Sequence, residues 1–122
     1  MRIVAFLFVL SFGSAVSQPE HEFLAELNKH RRHPVEYLAS EQPTLTAIAA
    51  KLPKVYGHVY GNNHSGEIIT RASSPEAAME MFLNSRAHKR ILKSKKAKFA
   101  AVGMYSLADS YYLIVRFYDR PR

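Results

Sequence analysis

The order of local signals predicts an α+β fold. Two amphipathic helices come first, then a stretch of alternating aromatic, β-branched and polar residues, two further helices and a closing antiparallel hairpin. The regular strand–helix alternation of a parallel nucleotide-binding sheet is missing. The five glycines, Gly13, Gly57, Gly61, Gly66 and Gly103, match neither a dinucleotide fingerprint nor a phosphate loop, which argues against nucleotide-driven chemistry. With 122 residues, 48% of them hydrophobic, the chain has material for one core and one domain.

Residues 1–17 read as a cleaved export signal. Arg2 supplies the positive start, Ile3 to Leu10 the apolar core, and Ala15-Val16-Ser17 the small-residue cut, which leaves Gln18 as the new terminus. The apolar run is too short to span a bilayer, and no second run of spanning length follows. The expectation is a secreted or periplasmic product without a transmembrane segment, folded as a single domain over residues 18–122 and monomeric. The chain contains no cysteine, so disulfides, thiolate nucleophiles and cysteine-ligated metals are excluded.

Each element has its own justification. From Pro19 to Arg32, Phe23, Leu24 and Leu27 share one side of a helix with acids early and bases late, and Pro34 stops it. Leu45, Ile48, Ala49 and Leu52 mark a second helix, with Thr44 as cap and Pro53 as terminator. Val55 to Tyr60 reads as a strand or extended loop, Gly61-Asn62-Asn63 as a turn, and Glu67 to Arg71 as a strand on which Glu67 shares a face with Ile69. Ser74 caps a third helix with Pro75 at its first position and Ala78, Met79, Phe82 and Leu83 as its core stripe. Ser85 caps a fourth, on which His88, Ile91 and Leu92 face one way. The hairpin pairs Phe99–Leu107 with Tyr111–Tyr118 across Ala108-Asp109-Ser110.

Several of these segments, in this order, resemble the CAP superfamily: the cysteine-rich secretory, antigen 5 and pathogenesis-related 1 proteins that carry the SCP domain. The residues that carry the likeness are Leu27-Asn28 with Arg31, the Leu45–Leu52 helix, Gly66-Glu67-Ile68-Ile69, the run from Phe82 to Leu92 and Val102-Gly103-Met104 with the aromatic last strand. The family patterns are GENI, a tryptophan helix running into SPGHRxNIL, and GVG. This chain departs from them with Ile68 for Asn, Phe82 for Trp and Arg86-Ala87 for Pro-Gly, as a short cysteine-free bacterial-type member would. The resemblance implies a three-layer α-β-α sandwich with a His/Glu cavity and contact with lipid or sterol, and the expected function is an extracellular binding or interaction role rather than an enzymatic one.

Carried over residue by residue, the cavity would be built from His58, Glu67 and His88. His64 competes with His58, and Glu80 stands in for a second glutamate that has no clear counterpart. Two neutral imidazoles and a carboxylate suit a divalent ion such as zinc or magnesium, and a metal-assisted hydrolase is the alternative they open. The same residues also suit a hydrogen-bonded structural cluster in which Glu67 satisfies His88. No GxSxG elbow marks a serine nucleophile.

Charge is the remaining signal. Arg86, Lys89, Arg90, Lys93, Lys95, Lys96 and Lys98 fall in one stretch without an acid, and loss of residues 1–17 leaves sixteen Lys and Arg against ten acids. Such a run is either a solvated face or a contact for an anionic extracellular surface. No nucleic-acid-binding motif accompanies it, so nucleic acid is not the expected partner.

Overall fold

The computed structural model describes residues 19–58 and 66–121. The expected signal peptide, the Gly61-Asn62-Asn63 turn and His64 lie outside them. In chain order the elements are α1 (Pro19–Lys29), β1 (Glu36–Tyr37), α2 (Gln42–Lys51), β2 (Gly66–Ala72), α3 (Pro75–Asn84), α4 (Arg86–Leu92), β3 (Phe99–Leu107) and β4 (Ser110–Tyr118). This is the expected α+β order.

The caps on α3 and α4 form as expected: Ser74 Oγ accepts from Ala77 N at 3.0 Å and Ser85 Oγ from His88 N at 3.4 Å. Each hydroxyl satisfies a backbone donor that the first helical turn leaves unpaired. Two boundaries differ from expectation. The second helix starts at Gln42 rather than after Thr44, running on from a 3₁₀ turn at Ala39–Glu41. Pro43 permits this, because the first turn needs no N–H from it and its fixed φ is already helical. The first helix ends at Lys29, before Arg32. Asn28 turns the chain there, its side chain donating to Val35 O at 3.0 Å and accepting from Val35 N at 2.9 Å.

Arg31 is thereby directed inward, and its guanidinium closes the far end of α4. Nη1 donates to Leu92 O at 2.6 Å and Ser94 O at 3.1 Å, Nη2 to Ala97 O at 3.0 Å, and Nε to His33 O at 3.0 Å. Helix carbonyls without an intrahelical partner are satisfied by a cation at the negative end of the helix.

The sheet runs β1-β3-β4-β2, with β1 parallel to β3 and the other pairs antiparallel. The two-residue β1, which no periodicity announces, is held by Glu36 N to Lys98 O and Leu38 N to Ala100 O, both 2.9 Å. Residues 55–58 form no strand, in keeping with the extended-loop reading of that stretch. The hairpin turn is tighter than expected: Ser110 pairs with Leu107, which leaves Ala108 and Asp109 as the loop, with Ala108 at φ 55°.

β4 occupies the middle of the sheet and is buried on both sides. Leu113, Val115 and Phe117 join Phe23, Leu27, Phe82 and Leu92 in one core, while Tyr112, Ile114 and Tyr118 join Leu45, Ala49 and Leu52 in another. Helices therefore cover both faces, α1, α3 and α4 on one and α2 on the other. On the α2 side Gly103 leaves no room for a side chain, since an added β-carbon would collide with the Leu45 carbonyl. Backbone there is not easily displaced, and overpacking a full core is destabilising. Gly103→Ala is expected to lower stability by about 3 kcal/mol in denaturant unfolding. A variant as stable as the parent would mean that α2 does not lie against this strand.

Candidate functional site

β4 also positions the site. Its odd members feed one core, while Tyr112, Ile114, Arg116 and Tyr118 point to the α2 side. Arg116 is thus a cation in an apolar layer, 6% exposed, and Glu67 lies directly across from it on β2, 7% exposed. Arg116 Nε donates to Glu67 Oε1 at 2.7 Å. Burying either charge alone would cost several kcal/mol, whereas together each neutralises the other.

The second carboxylate oxygen, Oε2, is 2.8 Å from His58 Nδ1. An ionised carboxylate only accepts, so the proton of this bond sits on Nδ1, and in the neutral ring Nε2 is the acceptor. The imidazole itself stands at the surface, with 38% of its side chain exposed. On the other side of Arg116, the Tyr118 hydroxyl donates to Glu41 Oε1 at 2.9 Å. Burial, reinforced by the Glu41 carboxylate, drives the pKa of that phenol well above its ordinary value, so Tyr118 stays a neutral donor. Glu41, Tyr118, Arg116, Glu67 and His58 thus form a polar row within the α2-side layer.

His88 lies near the His58 end of this row. On α4 it packs edge-on against Phe82, ring centroids 5.4 Å apart, and its Nδ1 is buried without a hydrogen-bond partner among the described residues. Burial, aided by the proximity of His58, lowers its pKa and favours the neutral ring. The expected His88–Glu67 pairing is therefore replaced: Glu67 is held by Arg116 and His58. Glu80 lies elsewhere, on the exposed side of α3 beside α1. The seven basic residues from Arg86 to Lys98 are all exposed.

These geometries bear directly on a metal. Among the described residues no three His, Asp or Glu side chains come together as a ligand group. The central carboxylate carries a guanidinium on one oxygen and an imidazole N–H on the other. The described donors therefore assemble no zinc or magnesium ligand set by themselves. Arg116, Tyr118 and Glu41 were not among the expected site residues. Their signal was the arginine interrupting the apolar alternation of the last strand.

Structural comparison places the chain among CAP folds. It is similar to an outer surface protein of Borrelia burgdorferi, at 18% identity and TM-score 0.57 over 81% of this chain and 89% of that one. It is also similar to MpPR-1i, at 16% identity and TM-score 0.56 over 83% of this chain and 84% of that one. An extracellular SCP-domain protein of Bacillus anthracis aligns at 12% identity and TM-score 0.53, covering 85% of this chain and 45% of that longer one. No protein-family profile matches the sequence. No curated protein matches it either. The fold is the one the sequence resemblance implied, reached through a sequence far from its structural neighbours.

Two measurements probe the site. Glu67→Gln leaves Arg116 buried without its countercharge and is expected to reduce unfolding free energy by about 3 kcal/mol. A loss below about 1 kcal/mol would show that the pair is not buried as described. For His88 the folded-state pKa is the lower one, so the unfolded chain binds the proton first and stability falls as pH drops below about 6.5. His88→Gln should flatten that part of the stability–pH curve, and an unchanged slope would refute the assignment.

Proposed function

We propose that this chain is an exported CAP-fold binding protein, secreted or periplasmic once residues 1–17 are removed, that docks on anionic extracellular surfaces and catalyses no reaction. The observation that carries the reading is the ridge formed by α4 and the turn after it. Arg86, Lys89, Arg90, Lys93, Lys95, Lys96 and Lys98 are exposed there, and among the described residues none of the seven is in an ion pair. Arg86, Lys89, Arg90 and Lys93 line an open depression of about 650 Å³ with Asn84 and Ser94.

Cations late in a helix have a structural use, since they complement its negative end. Arg31 already fills that position on α4, so the ridge is not needed to hold the helix together. A row of solvated cations attracts polyanions over the range of the screening length. Acidic glycans and anionic lipid head groups share the chemistry the ridge selects. Support for export comes from the apolar start of the chain and from structural neighbours described as outer-surface and extracellular proteins. No helix among the described residues is long and apolar enough to cross a membrane.

Retention on heparin and on phosphatidylserine vesicles should fall steeply between 0.1 and 1 M salt, as the screening length shrinks from about 10 to 3 Å. Lys93→Gln with Lys95→Gln and Lys96→Gln should weaken vesicle binding about a hundredfold, at about 1 kcal/mol per lysine. Retention that withstands both treatments would refute the ridge as the docking surface.

A further inference from the structure

The molecule has a second surface of opposite character. Between α1 and α3 runs a groove of about 490 Å³ whose floor includes Phe23, Met79 and Leu83. Its walls are acidic apart from His30: Glu22 and Glu26 lie one turn apart on α1, and Glu76 and Glu80 one turn apart on α3. All four are exposed, and they make up four of the ten acids in a chain of net charge +7. Glu26 holds Lys29 at 2.7 Å, an exposed pair open to exchange with solvent and competing cations.

The arrangement of these carboxylates narrows the occupant. They belong to none of the three-residue groups that could hold a metal ion, since no such group occurs among the described residues, so they border the groove without converging on a point. A compact cation is therefore a poor match. A fatty-acid anion would bring its own carboxylate against four others. What fits is an elongated body, apolar along its middle, with positive charges distributed on both flanks. The Glu22–Glu26 spacing is one helical turn, about 6 Å, so a segment of a few turns would engage all four glutamates.

We propose that the α1–α3 groove docks a short cationic amphipathic segment of a partner protein, its apolar side chains on Phe23, Met79 and Leu83 and its Lys or Arg side chains on the four glutamates. This surface shares Leu83 but no charged residue with the depression in the basic ridge, so the two bind by opposite chemistry and their charge substitutions act independently.

The test uses a fluorescein-labelled leucine–lysine amphipathic peptide and the full exported chain, followed by anisotropy. Saturable binding is expected. Glu22→Gln with Glu76→Gln and Glu80→Gln should weaken it about tenfold, while replacing Lys93, Lys95 and Lys96 with Gln leaves it unchanged. The glutamates are exposed, so these changes spare the core, and Leu83→Lys provides a second disruption through the floor. The proposal is overturned if the glutamate variant binds as the parent does, if a leucine–glutamate peptide binds equally well, or if palmitate displaces the peptide. It is overturned also if the groove is filled by a second copy, seen as dimerisation that the glutamate substitutions abolish.

Discussion

A central strand buried on both faces cannot carry a charge unless another element supplies the opposite one at the right register. Arg116 imposes that requirement on β4, and the antiparallel register of β2 meets it by setting Glu67 directly across. Much else follows. Glu67 has to lie on the α2-side face, which fixes Ile69 beside it and sends Ile68 to the opposite core. A one-residue slip of β2 would bury Ile68 against Arg116 and leave both charges unpaired, so the ion pair specifies register more than it contributes to stability.

The same pair explains why the resemblance to a His/Glu cavity leads to a different reading of the chemistry. The carboxylate expected to meet His88 is engaged by two other groups. Here one oxygen holds a guanidinium and the other an imidazole N–H, at 2.7 and 2.8 Å. The site is built as a fastening between β2, β4 and the segment after α2. Its exposed end is His58, and its inner end reaches Glu41 through Tyr118.

Arg31 plays the corresponding part on the other side of the sheet. One buried cation meets the carbonyls of Leu92, Ser94 and Ala97 and stands 5.9 Å over the Phe117 ring, tying the exit of α1 to the exit of α4 and to the sheet. Arginine suits this position because its planar fork offers several donors to carbonyls that diverge. The consequence reaches the surface: with the end of α4 satisfied from within, the lysines that follow are left to solvent and to partners. Four glutamates then gather between α1 and α3, while the seven bases from Arg86 to Lys98 gather along α4 and the turn after it.

The sequence by itself determined the elements whose signals are local. Serine hydroxyls, a proline at the first helical position and strict alternation each act within a few residues, which is why α3, α4 and the hairpin were legible almost to the residue. The likeness to CAP proteins was legible too, because it rests on the order of such segments. What only the tertiary structure decided involves residues distant in the chain. Glu67 and Arg116 are separated by 49 residues, and Arg31 and Ala97 by 66. Glu67 could have met His88, and Glu80 could have joined it. No local preference distinguishes those pairings from the ones that form, because the choice is made by strand register and by which face of the sheet each helix covers. The two-residue β1 and the early start of α2 were hidden for the same reason: a pair of backbone hydrogen bonds to β3 holds the first, and a proline fitting a turn that packing selects sets the second.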